Sequence, residues 1–289
     1  MSGKGDKWAE WLAKSRFGGD SGVRRQMLAQ LTDVRDLVLD RAQLSSDDVL
    51  LDVGCGEGMI GFGALERGAA NVVFSDISVD LLDRCRQFAE DQGLSDRCSF
   101  INAAADDLEG VADASVDVVA TRSVLIYVGD KSAAFAEFFR VLRPGGKISL
   151  YEPINRFGMS ERRQGFWGYP ADGLREIAER VEAVFAELQP ESDPMLDFDE
   201  RDLIRLAEAT GFFPIDLEYH AEIKATDAKP WEAFIASSGN PKIPTIGEAM
   251  GRALTEDERT RFSEHLRPLV EHGRGVSRMG HAYLAAAKP

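Results

Sequence analysis

The segment with the densest chemistry is Asp52-Val53-Gly54-Cys55-Gly56-Glu57-Gly58, which closes a short apolar run. Glycines at alternate positions let a backbone turn tightly and approach a ligand without Cβ clashes. A helix starting after such a loop offers free N–H groups and the positive end of its dipole. Two kinds of ligand fit. Gly56-Glu57-Gly58-Met59-Ile60-Gly61 matches G-x-G-x-x-G, the dinucleotide fingerprint, but it starts two residues late, because Gly54 is the residue that meets the strand. Gly54-x-Gly56-x-Gly58 with an acid two residues earlier suits a ligand with a cationic amine, which Asp52 meets directly or through water. Asp76 ends a second run, Phe74-Ser75-Asp76-Ile77. An acid there accepts both hydroxyls of a ribose. The competing reading of Asp76 is a helix cap, although Ser78 is better placed for that.

Periodicity outlines the elements that must position these residues. Residues 8–44 read as two helical segments separated by Gly18 and Gly19, with Val23, Met27, Leu31, Val34 and Val38 recurring at three- and four-residue steps. Short apolar runs follow at Val49–Val53, Asn71–Ser75, Cys98–Asn102, Val116–Thr121 and Lys147–Tyr151. Helical patterns lie between them, one from about Met59 to Arg67, one with Val79, Leu82 and Ala89 on one side, and one with Phe135, Phe138, Phe139 and Leu142. Pro144, Gly145 and Gly146 supply a stop before the fifth run. Strands alternating with helices imply a parallel sheet with right-handed crossovers. Farther on, helices are expected over 171–189 and from about Glu200 to Thr210. A strand carries Phe213, Ile215, Leu217 and Tyr219, and another spans Val276–Ala287. Residues 226–274 read as mostly non-strand, with a helix opened by the capping box Thr255 and Glu258.

Composition narrows the partners. The chain of 289 residues carries 34 Lys+Arg against 49 Asp+Glu, a formal net charge of −15. Displacing counterions from nucleic acid needs a concentrated basic surface, and the Arg162-Arg163 pair after Glu161 is too small to provide one. Nucleic acid and acidic membrane surfaces are therefore poor partners on charge. The N-terminus, with Lys4, Asp6, Lys7, Glu10 and Lys14, is too charged for a signal peptide, and no apolar run approaches the ~18 residues of a membrane helix. Cys55, Cys85 and Cys98 lack metal-ligand or disulfide spacing and read as free thiols in a reducing cytosol. A cytoplasmic protein with no metal is expected.

Four motifs in order resemble the class I S-adenosylmethionine-dependent methyltransferases. They are Val49 to Gly58, Phe74 to Ile77, Ser115-Val116-Asp117-Val118-Val119, and Val141-Leu142-Arg143-Pro144-Gly145-Gly146-Lys147. The resemblance covers roughly residues 47–152. It implies S-adenosylmethionine as cofactor and an α/β fold, a Rossmann-like seven-stranded, mostly parallel sheet with an antiparallel last strand and helical lid insertions. By this resemblance Asp52, Gly54, Cys55, Gly56 and Gly58 face the methionine part, Asp76 the ribose and Ile77 the adenine. The loop Ala104-Ala105-Asp106 adds to the adenine pocket. Ala104 stands where the family often has Asp, so Asp106 or backbone groups take that role. Thr121, Arg122 and Ser123 fall where the family places residues beside the reacting methyl.

Transfer of a methyl group is an in-line displacement, in which the protein mainly holds the nucleophile close and aligned. A base is needed only if the nucleophile loses a proton. Glu152, at the end of the fifth run, is the leading candidate for a base or a cation-orienting carboxylate. Arg122 either binds an acidic substrate group or pairs with a carboxylate of the fold. Tyr127 either lines the pocket or is an ordinary aromatic. His220, alternating with Glu218 and Glu222, reads as solvated, and His265 and His272 as surface residues.

The expected organisation is a helical lid over 1–46, a cofactor core over 47–152, a substrate cover over 153–200, core elements over 201–225, a second cover over 226–274 and a last core strand over 275–289. Phe166, Trp167, Tyr169, Trp231 and Phe234 either line an apolar small-molecule pocket or bury the covers. Trp8 and Trp11 fold over the cofactor or pack in a homodimer. The expected reaction is methylation of an O or N nucleophile of a small molecule, in secondary metabolism. The alternatives are a protein or peptide methyltransferase, a nicotinamide-dependent oxidoreductase and a non-catalytic cofactor-binding module.

Overall fold

In the computed structural model, which describes residues 6–159 and 165–289, the apolar runs become strands and the amphipathic segments between them become helices. Lys4 and the segment with Glu161, Arg162 and Arg163 lie outside the described residues. In chain order the elements are α1 (Lys7–Lys14), α2 (Ser21–Ala42), β1 (Val49–Val53), α3 (Met59–Glu66), β2 (Asn71–Asp76), α4 (Val79–Asp91), β3 (Cys98–Asn102), β4 (Val116–Arg122), α5 (Lys131–Val141) and β5 (Leu142–Pro153). They continue with α6 (Asn155–Met159), α7 (Arg175–Leu188), α8 (Glu200–Thr210), β6 (Ile215–Ala225), α9 (Trp231–Ile235), α10 (Ile246–Ala253), α11 (Glu256–Glu271) and β7 (Val276–Ala287).

The seven strands form one sheet in the order β3-β2-β1-β4-β5-β7-β6. Strands β3, β2, β1, β4 and β5 are mutually parallel, and β7 runs antiparallel to β5 with Lys147 opposite Ala287 and Pro153 opposite His281. Position in the sheet explains the residue patterns. Central β1 and β4 are buried on both faces and read as continuous apolar runs, as interior parallel strands must. The outer strands β3 and β6 are half exposed or alternate.

Two compact units divide the chain: one takes residues 30–154, 197–220 and 281–289, the other the rest. The first unit holds the sheet core, where Val38, Leu39 and Ala42 of α2 pack with Leu50, Ile60, Ala64, Val72, Phe74 and Val118. Helix α3 presses hard on the sheet through Gly61, where an added Cβ would sit 2.3 Å from Phe74 Cε1 and 2.9 Å from Val72 Cγ1. The exposed Val79 is not part of the α4 core stripe, which is formed by Leu81, Leu82, Cys85 and Ala89. Strand β5 starts at Leu142, five residues before the expected Lys147. The register jumps from Val116 opposite Leu142 to Val118 opposite Lys147, so the Pro-Gly-Gly segment is a bulge inside the strand.

The second unit has its own core, in which Phe166, Tyr169, Val181, Trp231, Phe234, Phe262, Leu266 and Val270 are buried together. Four of the five aromatics considered for a substrate pocket are thus core residues of this unit; Trp167 is half-buried beside Phe185. The Trp11 indole donates to the Ser238 carbonyl at 2.9 Å, a contact within the same unit. The capping box expected at α11 is present, with Thr255 and Glu258 satisfying each other's backbone N–H groups. No helix among the described residues is long and apolar enough to cross a membrane.

Candidate active site

The candidate cofactor-binding and catalytic residues lie in the first unit, along the carboxyl ends of β1 to β5, the default ligand position of an open parallel sheet. The glycine loop leaves β1 with Gly54, Gly56 and Gly58 all in the left-handed region, at φ 63°, 56° and 79°. Each has a different neighbourhood. A Cβ on Gly54 would lie 2.5 Å from Val124 Cγ2, and one on Gly58 would lie 2.5 Å from Phe62 Cε2. At Gly56 the same construction meets nothing within 4 Å. Packing therefore accounts for the outer two glycines, while the middle one borders open space. The loop is pinned to β2, because the Cys55 amide donates to the Ser75 carbonyl at 2.9 Å and the Gly56 amide to Asp76 Oδ2 at 2.8 Å.

Asp76 is nearly buried, and its other oxygen, Oδ1, accepts the Ser78 amide at 2.9 Å. The α4 cap is Ser78 itself, whose hydroxyl accepts the Leu81 amide. Asp76 therefore braces the loop and the start of the next helix together. Ile77 beside it is 52% exposed, an unusual state for a large apolar side chain. Ala105 is buried and Asp106 half-buried, in a tight turn closed between Ala104 and Asp107. Asp52 is buried, and its Oδ2 accepts the Gly61 amide of α3 at 2.8 Å. Burial pushes its carboxyl up to about 7; the Gly61 amide and the charge of Arg122 pull it down, and Asp76 adds to the rise.

On the β4–β5 side the hub is Glu152, which is 0% exposed. Its Oε1 accepts the Val124 and Leu125 amides at 3.0 Å each and the Thr121 hydroxyl at 3.3 Å, and its Oε2 accepts the Ile126 amide at 3.3 Å. Burial moves its carboxyl up to about 7 against the pull of these donors. The geometry suits a carboxylate that fixes the segment after β4. The expected base or cation-orienting role would need an oxygen turned toward an acceptor, whereas both oxygens here are met by the protein. Thr121 is fully buried with its hydroxyl on Glu152.

Arg122, opposite Tyr151 in the register, is half-buried, and desolvation lowers its pKa against the stabilising fields of Asp52, Tyr151, Tyr127 and Glu152. No carboxylate lies within salt-bridge distance of it among the described residues. Tyr127 is half-buried just past β4 and is close enough to act on Arg122.

Sequence reasoning did not bring out Cys85. Its thiol donates to the Gly56 carbonyl at 3.3 Å, and Cys55 approaches the same oxygen at 3.9 Å. The Cys85 contact and burial hold the Cys55 thiol well above the usual range, so these thiols are packing groups behind the loop. Among the described residues no group of three or more His, Cys, Asp or Glu side chains could hold a metal ion. His220 is exposed, pairing with Glu218 at 2.6 Å and stacking on His281.

Residues 51–150 match the family model described as a methyltransferase domain. A tRNA 5-carboxymethoxyuridine methyltransferase of Escherichia coli (strain K12) is 35% identical over 146 residues, which cover 50% of this chain and 54% of the relative. Phosphoethanolamine N-methyltransferase 1 of Arabidopsis thaliana is 24% identical over 219 residues, 69% of this chain and 44% of the relative. The chain thus spans about half the length of the curated relatives it matches. Geranyl diphosphate C-methyltransferase from Streptomyces coelicolor A3(2), solved with S-adenosyl-L-homocysteine, superposes with a TM-score of 0.52 at 17% identity, covering 89% of this chain and 76% of that one. At that identity the likeness shows the fold alone. The sheet order, the glycine loop and the family match agree that residues 51–150 of this chain are a methyltransferase domain, similar in sequence and fold to S-adenosylmethionine-dependent methyltransferases.

Proposed function

We propose that the protein is an S-adenosylmethionine-dependent methyltransferase acting on an O or N nucleophile of a small molecule. The observation that carries the reading is the left-handed loop at Gly54–Gly58, tied to Asp76 and open at Gly56. A cradle that a Cβ would fill at Gly56, an acid at the end of β2 and an exposed Ile77 fit the amino-acid, ribose and adenine parts of that cofactor. Asp52 and the loop would hold the methionine end, Asp76 the ribose, and Ile77 with Ala105 and Asp106 the base. S-adenosylmethionine supplies a methyl group on a cationic sulfur. The chain's own part is to orient an acceptor beside Thr121, Arg122 and Tyr127 and to keep water from it, with Glu152 holding the backbone of 124–126 in place. A cytoplasmic location, suggested by the free cysteines, belongs to the same proposal.

A second reading rests on the 35% identical relative, which modifies tRNA. The net charge of −15 weighs against a nucleic-acid substrate, because each phosphate contact relies on a displaced counterion. Titration calorimetry with S-adenosylhomocysteine beside NAD tests the cofactor. Micromolar binding of the former alone is expected, and binding of NAD alone would move the enzyme to redox chemistry. Transfer of labelled methyl into bulk tRNA, but into no member of a panel of small hydroxy and amino compounds, would replace the small-molecule reading by the second.

A further inference from the structure

Cations of the sheet unit that are partly or fully buried are generally compensated. Lys131, 7% exposed, donates to the Val128 carbonyl at 3.0 Å and to Asp197 at 2.7 Å. Arg140 engages Glu137 and Asp113 and the carbonyls of Leu108 and Val111. Arg97 donates to the carbonyls of Ala69 and Ala70. Arg122 departs from this pattern. It is half-buried at the last position of β4, and among the described residues it makes no hydrogen bond and has no carboxylate within ion-pair distance. Asp52 and Glu152 act on it through their fields; Oδ2 of Asp52 is engaged by the Gly61 amide and both Glu152 oxygens by the 124–126 backbone. A guanidinium held at the site without a protein partner keeps its donors available to a ligand. Its planar fork matches a carboxylate or phosphate in two parallel hydrogen bonds.

We infer that Arg122 is the anion receptor of this site and pairs with a planar or tetrahedral oxyanion of the bound ligands. The inference rests on the proposed cofactor reading and deepens it. The oxyanion has two sources, the α-carboxylate of the cofactor's methionine part or an acidic group on the methyl acceptor. Tyr151 is its register partner on β5, and both Tyr127 and Tyr151 are near enough to act on its charge.

The test compares wild-type protein with Arg122→Met and Arg122→Lys by titration calorimetry, using S-adenosylhomocysteine, its decarboxylated analogue, and acetate or inorganic phosphate added to the S-adenosylhomocysteine-loaded protein. If the cofactor is the source, wild type prefers S-adenosylhomocysteine over the analogue by about 10- to 100-fold, and Arg122→Met loses that preference. If the acceptor is the source, Arg122→Met binds S-adenosylhomocysteine as wild type does but loses acetate and phosphate binding to the loaded protein. Arg122→Lys retains part of either effect. Thermal melting separates a receptor from a structural cation, since Arg122→Met is expected to melt at the same or a higher temperature. An Arg122→Met variant that matches wild type in both binding measurements, or that melts well below it, overturns the inference while leaving the cofactor reading intact. Failure of wild type to bind S-adenosylhomocysteine overturns the cofactor reading and this inference with it.

Discussion

On the β1–β2 side of the candidate site the groups are mostly backbone: three left-handed glycines, of which Gly56 borders open space, the amides that pin the loop, and one acid, Asp76, that braces two loops. On the β4–β5 side they are side chains, with Glu152 saturated by the segment after β4 and Arg122 without a hydrogen bond or ion pair among the described residues. A backbone cradle recognises what all ligands of a family share, because it depends on conformation rather than residue chemistry. A side-chain cluster of opposite charges discriminates, because each charge must be answered by something specific. The two sides meet where Gly54 faces Val124, so the generic half limits where the specific half can stand.

Gly54→Val strikes that junction and is expected to have the largest effect. It forces a β-branched residue into φ 63° and drives a side chain into Val124. Together these cost about 3–5 kcal/mol in urea unfolding. An unchanged midpoint would mean that the two sides do not lock through this contact. Next comes Glu152→Ala, which leaves the buried amides of 124–126 without an acceptor at roughly 3 kcal/mol. Glu152→Gln, which keeps one acceptor oxygen, should lose less. Equal losses in the two variants would show that shape rather than acceptance holds the loop.

Asp76→Ala removes the acceptor for Gly56 and Ser78 as well as for a ribose, and S-adenosylhomocysteine affinity should fall by about 10- to 100-fold in calorimetry. The pH response sharpens the contrast from the Asp52 side. Its carboxyl is held up to about 7, so the ionised form that attracts a cationic amine is present above that pH and is lost as pH falls through it. Affinity should drop by about tenfold from pH 8 to pH 6, where most of that charge disappears. Asp52→Asn should flatten the profile, and a wild-type profile already flat would remove Asp52 from the amine contact. The smallest effect on stability belongs to Gly56→Ala, about 1 kcal/mol for the left-handed φ alone, because no protein atom meets the new carbon. Its affinity loss should exceed its stability loss if a ligand occupies that space.

The same division governs what could be read from the sequence. Strands β1, β3 and β7 and helix α8 fall at their expected limits, because apolar runs bounded by turn residues and caps determine them locally. The β5 start was missed because Pro144-Gly145-Gly146 reads as a stop, whereas pairing with β4 continues around the bulge. Within the site, the glycine loop and Asp76 were legible because conformational demands restrict residue type. The position of Glu152 was legible, but not its partners, which are backbone amides about 26 to 28 residues away that no residue letter reveals. Likewise, two readings of Arg122 stayed open in the sequence because pairing depends on distances across strands. Cys85 meets the loop from a separate helix, with no spacing signal to announce it.

The contact between Gly61 and Phe74 carries a consequence for how such a chain can change over time. With 2.3 Å between a would-be Cβ and the Phe74 ring, even alanine at 61 cannot be accommodated unless the ring gives way. A smaller residue at 74 would make room but leave a void against α3 until 61 gains volume. Neither step is tolerated well alone, so the two positions should drift as a pair, with opposite changes in size, across descendants of this chain.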